Sequence, residues 1–389
     1  MIRIILKKNE DKRIKNGHLW IFSNEIKEPP HEAENGDLAE VYNERQEFMG
    51  TGFFNKNSLI SVRILSRSRV EDLESVLREK IWNAFNLRNE IYPGRTSFRL
   101  VFSESDFLPG LIVDKYNGTY VLQVYSYGIQ RNINKVTEIL KEKMNAENIF
   151  SRNEPYFRKL EGLPEVDEIY LGKLKHELIF DGSVYFEVDF EKSQKTGFYF
   201  DQSDNRFFIE KIVKGKSVAD GFCNSGGFGL HAALAGAAEV SFIDSSSSEI
   251  ESARKNFSLN KFSCGSEFIV SDVFKYFEEQ IELKRKFGVV MIDPPAFAKN
   301  KRSLPVAKKG YERLNRMALN CIERGGYLVT SSCSYHLKKD EFLSVIASAA
   351  AKAGKNIQLI RFNGASLDHP QLPAMEETSY LKFAVFKVH

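Results

Sequence analysis

The chain has 389 residues, with 55 Lys and Arg against 52 Asp and Glu, and is 42% hydrophobic and 28% charged. That length exceeds what one core usually organises, so two or three domains are expected, and the composition is that of an ordinary soluble globular protein. A net charge of +3 does not by itself name a polyanion partner. The opening MIRIILKKNEDKRIK lacks a signal-peptide core, and no apolar run approaches a membrane span, so no membrane role is expected. Cys223, Cys264, Cys321 and Cys333 are too scattered for a disulfide framework and form no CxxC pair, which points to a reducing cytoplasmic setting without a metal site.

Residues 1–67 read as short alternating runs, IRIILK, GDLAEVYN, FMGTGFFN and LISVRIL, separated by Gly and Asn. This predicts a small β-barrel-like domain over 1–70. In EDLESVLREKIWNAFNLRNEIY (71–92), Leu73, Val76, Leu77, Ile81, Ala84, Phe85 and Ile91 recur at helical spacing and predict a core-facing helix. Strands near 98–103, 111–114, 119–126 and 147–151 with a helix near 129–144 predict an α+β middle domain over 71–184. From 185 to 389 strands alternate with helices. Strands are expected at 216–222, 239–244, 266–270, 287–293 and 326–332, the rhythm of a parallel α/β sheet with helices on both faces. Two basic runs stand out: seven Lys or Arg within 1–30, and Lys299, Lys301, Arg302, Lys308, Lys309, Arg313 and Arg316 against Glu312 alone within 299–316. Such runs are usually solvated faces.

In a parallel sheet, ligands bind beyond the carboxyl ends of the strands, so each strand end is a candidate site. The first ends in VADGFCNSGGFGLHAAL, where Asp220 precedes a turn of Asn224, Ser225, Gly226 and Gly227 running into a helix. Asn224 takes the place of the first Gly of a GxGxxG turn, which its tolerance of positive φ permits. The second strand ends in Asp244, suited to accept both hydroxyls of an adenosine ribose. Asp272 follows the third, in place for an adenine amino group, although either Asp alone reads equally well as a helix cap. The fourth ends in Asp293, Pro294 and Pro295 with Phe297 beyond. The prolines stiffen the turn and leave carbonyls to face a flat polar ring, on which Phe297 can stack. The fifth ends in VTSSCSYH, carrying Cys333. From its residue type alone, this cysteine reads first as a buried apolar filler.

Taken together, the Gly turn, Asp244, Asp272, Asp293-Pro294-Pro295 and Ser332-Cys333-Ser334 resemble a class I S-adenosylmethionine-dependent methyltransferase. More narrowly the chain resembles the large-subunit ribosomal RNA cytosine-5 methyltransferase I family (RlmI-like), over nearly its full length. Gly17-His18-Leu19-Trp20-Ile21-Phe22 with Gly36-Asp37 is similar to that family's N-terminal PUA domain. Ser103 to Asp106, Leu108 to Leu111 and Val113-Asp114 are similar to its middle domain. Lys195 to Tyr199 and Asp201-Gln202 through Arg206 resemble the entry into a Rossmann-like catalytic domain, and Asp368-His369-Pro370 with SYLKFAVFKV its final antiparallel strands. The chain has Ser203 where the family often has Arg, and no Cys after Pro294.

The resemblance implies S-adenosylmethionine as cofactor, held by Asp220, Asn224, Ser225, Gly226, Gly227, Asp244, Asp272 and Asp293. It implies RNA as partner and the possibility of a homodimer. It makes Cys333 the covalent nucleophile, with Asp293 orienting the base or assisting proton transfer. Pro294, Pro295, Phe297, Lys299, Lys301, Arg302 and His18 are then substrate-binding candidates. Three alternatives are a guanine-N7 methyltransferase, an adenine-N6 or guanine-N2 enzyme, and a non-catalytic RNA-binding or ribosome-assembly factor. The thiol after the fifth strand argues against the first two, and the cofactor acids against the third.

Overall fold

The structure, a computed structural model, describes residues 1–28, 32–191, 195–298 and 300–389. The chain divides into two units. Unit 1 takes Met1–Ile179, Val188–Phe200 and Leu367–Thr378; unit 2 takes Phe180–Glu187, Asp201–Ser366 and Ser379–His389. Among the described residues no helix is long and apolar enough to cross a membrane.

Unit 1 contains two five-stranded sheets. The first uses β1 (Ile2–Ile5), β2 (Trp20–Phe22), β3 (Leu38–Tyr42), β4 (Phe48–Phe54) and β5 (Ile60–Ser66) in the order β1-β3-β4-β5-β2. A bridge between Leu6 and Ile26 joins the two edges. Lys7 N–H donates to Glu25 O at 2.8 Å and Lys27 N–H to Ile5 O at 2.9 Å, closing the sheet into the expected small barrel. Ile4, Leu6, Leu19, Ile21, Val41, Val62 and Ile64 fill it, which is why the runs alternate.

The second sheet uses β6 (Ser97–Phe102), β7 (Leu111–Tyr116), β8 (Thr119–Val124), β9 (Asn148–Ser151) and β10 (Ile169–Leu171) in the order β10-β9-β8-β7-β6. The predicted helix runs Leu73–Ile91, capped by Asp72, and buries Leu77, Ile81 and Ala84. It also buries Arg88, which apolar periodicity did not mark. That guanidinium donates to both carboxylate oxygens of Asp106 (2.5 and 2.8 Å), to Arg99 O and to Asp368 O, so its burial is matched by acceptors. Residues of β11 (His176–Phe180) and β12 (Tyr185–Asp189) form a two-stranded sheet.

Unit 2 is built on a seven-stranded sheet of β13 (Ser217–Gly221), β14 (Glu239–Asp244), β15 (Gly265–Val270), β16 (Phe287–Ile292), β17 (Ile322–Ser332), β18 (Ile357–Asn363) and β19 (Lys382–Val388). The order is β15-β14-β13-β16-β17-β19-β18. The first five pair in parallel, and β19 is antiparallel to both β17 and β18. Strand order reverses at β13, so the ends of β13 and β16 flank the switch point where such sheets bind ligands. The five expected parallel strands are all present. β17 begins four residues earlier than expected because the Gly325-Gly326 step does not end it. Gly325 adopts φ +82°, and the register against β16 shifts there.

One expectation is corrected. Asp368, His369 and Pro370 lie on no strand; the antiparallel end is made by β18 and β19. The Asp368 carboxylate instead accepts the Arg99 N–H at 2.9 Å and contacts His369 Nδ1 at 2.7 Å.

Candidate active site

The turn after β13 has three left-handed residues, Phe222 (φ 62°), Asn224 (φ 49°) and Gly226 (φ 91°). Asn224 therefore fills the expected role of a glycine substitute. The turn is tied to its neighbour: Asn224 N–H donates to Asp244 Oδ2 at 3.1 Å, and Ser246 N–H to Asp244 Oδ1 at 3.0 Å. Each Asp244 oxygen thus takes one backbone donor and keeps a lone pair on a partly exposed carboxylate, the acceptor pair that a ribose diol requires. Ser225 closes the turn, its carbonyl accepting from Asn256 at 3.1 Å.

Asp220 is buried and accepts the Gly229 N–H at 2.8 Å, binding strand to helix Gly227–Leu234. Burial, with Asp293 close by, pushes its pKa up to about 7. Gly227 is glycine because a Cβ there would stand 2.6 Å from Arg206 Nε. The buried Arg206 sits in the field of Asp181, Asp201, Asp293 and Asp220, and burial lowers its pKa. Asp272 caps helix Val273–Glu282 through the Lys275 N–H at 3.0 Å and is exposed at the third strand end.

Asp293 follows β16, its N–H donating to Gly221 O at 3.3 Å. Gln202 Nε2 donates to Asp293 Oδ2 at 3.0 Å and to Ser331 Oγ at 3.2 Å, linking this carboxylate to β17. Burial, reinforced by the Asp201 charge, pushes Asp293 up to about 7. Asp201 itself accepts from Tyr380 OH at 2.6 Å.

Cys333 leaves the end of β17 with its Sγ 3.9 Å from Pro294 O, so the thiol and the DPP turn meet at adjacent strand ends. Ser331, Ser332 and Ser334 are all buried, while Cys333 between them is partly exposed. The serine hydroxyls explain the pattern. Ser331 accepts from Gln202, and Ser332 and Ser334 each lie 3.0 Å from the Tyr311 hydroxyl. Ser334 Oγ also accepts the Ala298 N–H at 3.1 Å. The segment around the sulfur is therefore pinned on both sides. Lys382 Nζ donates to Ser334 O at 2.6 Å. His336 packs edge-on against Tyr335 with centroids 5.2 Å apart. By contrast, Cys223 is buried, and its thiol pKa is raised well above the usual range by burial and by Asp220. Cys321 is pushed up to about 11 by burial.

Pro294 is buried, Pro295 exposed, and Phe297 partly exposed with its ring 4.6 Å from that of Tyr311. Lys301 and Arg302 are exposed and make no side-chain hydrogen bond or ion pair among the described residues. Lys308 and Arg313 are instead paired with Glu341 and Glu278, each at 2.6 Å. Lys299 lies outside the described residues. His18 requires a correction. It is only 6% exposed in unit 1, its Nδ1 accepts the Trp20 N–H at 3.1 Å, and its ring meets Trp20 edge-on, so it packs the barrel and offers no open face to a base. Gln202, Tyr311 and Lys382 were missed as site residues. A lysine opening the otherwise apolar stretch KFAVF was the available signal for Lys382.

Comparison with known proteins matches residues 4–67 to the PUA-like domain and residues 171–387 to the S-adenosylmethionine-dependent methyltransferase domain. The chain is 39% identical over 374 residues to a Methanocaldococcus jannaschii protein provisionally named a ribosomal RNA large subunit methyltransferase, covering 95% of this chain and 94% of that one. It is 36% identical over 387 residues to ribosomal RNA large subunit methyltransferase I of Aliivibrio fischeri, covering 98% of each. A solved structure provisionally described as a methyltransferase complexed with SAH covers 100% of both chains with TM-score 0.86 at 19% identity, a likeness of fold.

Proposed function

The chain belongs to the ribosomal RNA large subunit methyltransferase I family, with a PUA-like domain and an S-adenosylmethionine-dependent methyltransferase domain, and from that premise we propose that it forms 5-methylcytosine in large-subunit ribosomal RNA through a covalent bond to Cys333. The observation that carries this reading is the sulfur of the partly exposed Cys333 beside Pro294 O, at the strand end adjoining the Asp293 turn. Nitrogen methylation of a base needs no such thiol.

S-adenosylmethionine, when bound, supplies an electrophilic methyl group; Asp244, the turn Asn224–Gly227 and Asp272 are the residues suited to hold its nucleoside end. Cytosine C5 is too weak a nucleophile to take that methyl unaided. The Cys333 thiolate forms a bond to C6 and the C5–C6 π pair moves to C5, readying that carbon for the methyl that S-adenosylmethionine would supply, with S-adenosylhomocysteine as the leaving group. Loss of the C5 proton to a base returns its electron pair to the ring and expels the thiolate. Asp293 faces the N3/N4 edge of the ring, to orient it or to exchange a proton with it. A cytosine stacked in a helix is out of reach, so the substrate base is single-stranded or flipped out.

We assign RNA binding to residues 1–70 and catalysis to 185–389, with 71–184 as the α+β middle domain, in a cytoplasmic protein; light scattering tests whether it forms a homodimer. Two expected results test the reading. Asp244→Ala should weaken cofactor binding about ten- to a hundred-fold, the worth of a charge-assisted hydrogen-bond pair of roughly 1.5–3 kcal/mol. Unchanged affinity by calorimetry removes Asp244 from the site. RNA affinity should fall steeply with salt, and Lys301→Ala with Arg302→Ala should lower the log–log salt slope by about 0.7–0.9 for each phosphate that is no longer neutralised. An unaltered slope would make this exposed pair a solvated surface.

A further inference from the structure

Lys382 opens β19 directly opposite Ser332 on β17 and is only 6% exposed. Burying an ammonium is costly unless its donors and its charge are both answered. Two of its three donors are answered by neutral groups: Nζ gives one hydrogen bond to Ser334 O and one to Tyr380 O, each 2.6 Å long. The charge is not answered by a carboxylate, since no Asp or Glu among the described residues lies within ion-pair distance of it. The ionisable group whose charge favours this ammonium is the Cys333 thiol, one residue from the carbonyl that Nζ holds.

We propose that Lys382 is a positioning residue for Cys333, its ammonium pinning the Ser334 carbonyl and favouring the thiolate form of the neighbouring sulfur. This rests on the reading of Cys333 as nucleophile. Ionisation releases the thiol proton to solvent, and the ammonium keeps all three of its own. Two other groups bear on the pair. Lys338, ahead of helix Lys339–Lys352, repels the ammonium, and Tyr311, on helix Leu304–Asn320, is kept a neutral phenol by burial. Burial pulls Lys382 down to about 8, so its support for the thiolate fades as pH rises past that value.

The test is the pH profile of Cys333 alkylation by iodoacetamide in the full-length chain, read by mass spectrometry of the peptide bearing Cys333. The wild-type midpoint should lie below about 8.5, the value of an unperturbed thiol. In Lys382→Met the midpoint should rise by about one pH unit, and alkylation at pH 7 should slow roughly tenfold. Lys382→Arg, which keeps the charge, should restore a low midpoint. A wild-type midpoint at or above about 8.5 overturns the proposal whether or not the variants fold. So does a Lys382→Met chain with a lowered melting temperature but an unshifted midpoint, the mark of a purely structural lysine. Failure of the nucleophile reading shows elsewhere: the wild-type chain would methylate RNA yet form no adduct with 5-fluorocytosine RNA, whatever the alkylation profile.

Discussion

Cys333→Ala should abolish methyl transfer, lowering kcat on the order of 10⁴-fold or more, while S-adenosylhomocysteine binding stays within about twofold. On the proposed reading the two effects separate, because the thiol addresses the base while Asp244 and the Asn224 turn hold the nucleoside end of the cofactor. RNA carrying 5-fluorocytosine should trap a covalent complex in the wild-type chain. Once C5 is methylated the fluorine cannot depart as a proton does, so the C–S bond to C6 persists. That complex should vanish in Cys333→Ala and survive in Cys223→Ala, since Cys223 is buried and its thiol is pushed far up. Full activity in the Cys333 variant would return the residue to strand-end packing and move the chemistry to a ring nitrogen or exocyclic amine.

Asp293→Asn should give the second largest loss, roughly 10²–10⁴-fold in kcat, with RNA affinity little changed. The amide preserves shape and polar contacts but removes the titratable proton. With its carboxyl pushed up to about 7, Asp293 should impose an inflection near neutral pH on the wild-type rate profile, absent from the Asn variant. The stability effect has the opposite sign. A carboxyl with a folded pKa raised above its unfolded value binds its proton more tightly when folded. Its cost to the fold is absent below about pH 4, grows as pH rises, and is complete above about 7, where it reaches about 4 kcal/mol as an upper bound. Asp293→Asn should therefore melt higher than wild type at pH 8 and show no such gain at pH 4. An unaltered rate profile together with an unaltered melting curve would remove Asp293 from both accounts.

Strands β14, β16 and the end of β17 were legible with their chemistry because each is a buried run ending in a residue type that departs from it: Asp244, Asp293, Cys333. β18 was not, since it is an edge strand with Gln358, Leu359, Ile360 and Arg361 exposed, and no alternation marks it. Gln202 and Tyr311 escaped because their roles depend on partners far along the chain, Asp293 and Ser331 for one, Ser332 and Ser334 for the other. Arg88 occupied a position on the core face of a well-read helix, where only the later Asp106 and Asp368 explain a charge. His18 was misread because an aromatic-rich motif looks alike whether its rings line a core or face a ligand.

The excursion of Leu367–Thr378 into unit 1, made between β18 and β19, bears on how the molecule comes into being. Arg88 and Arg99 leave the ribosome long before two of their acceptors, the carbonyl and the carboxylate of Asp368, are made. No amino-terminal fragment that stops short of Thr378 holds a whole copy of unit 1. Until Asp368 is made, Arg88 has Asp106 and the Arg99 carbonyl but lacks the Asp368 carbonyl, and the N-terminal unit cannot be excised as one uninterrupted gene segment.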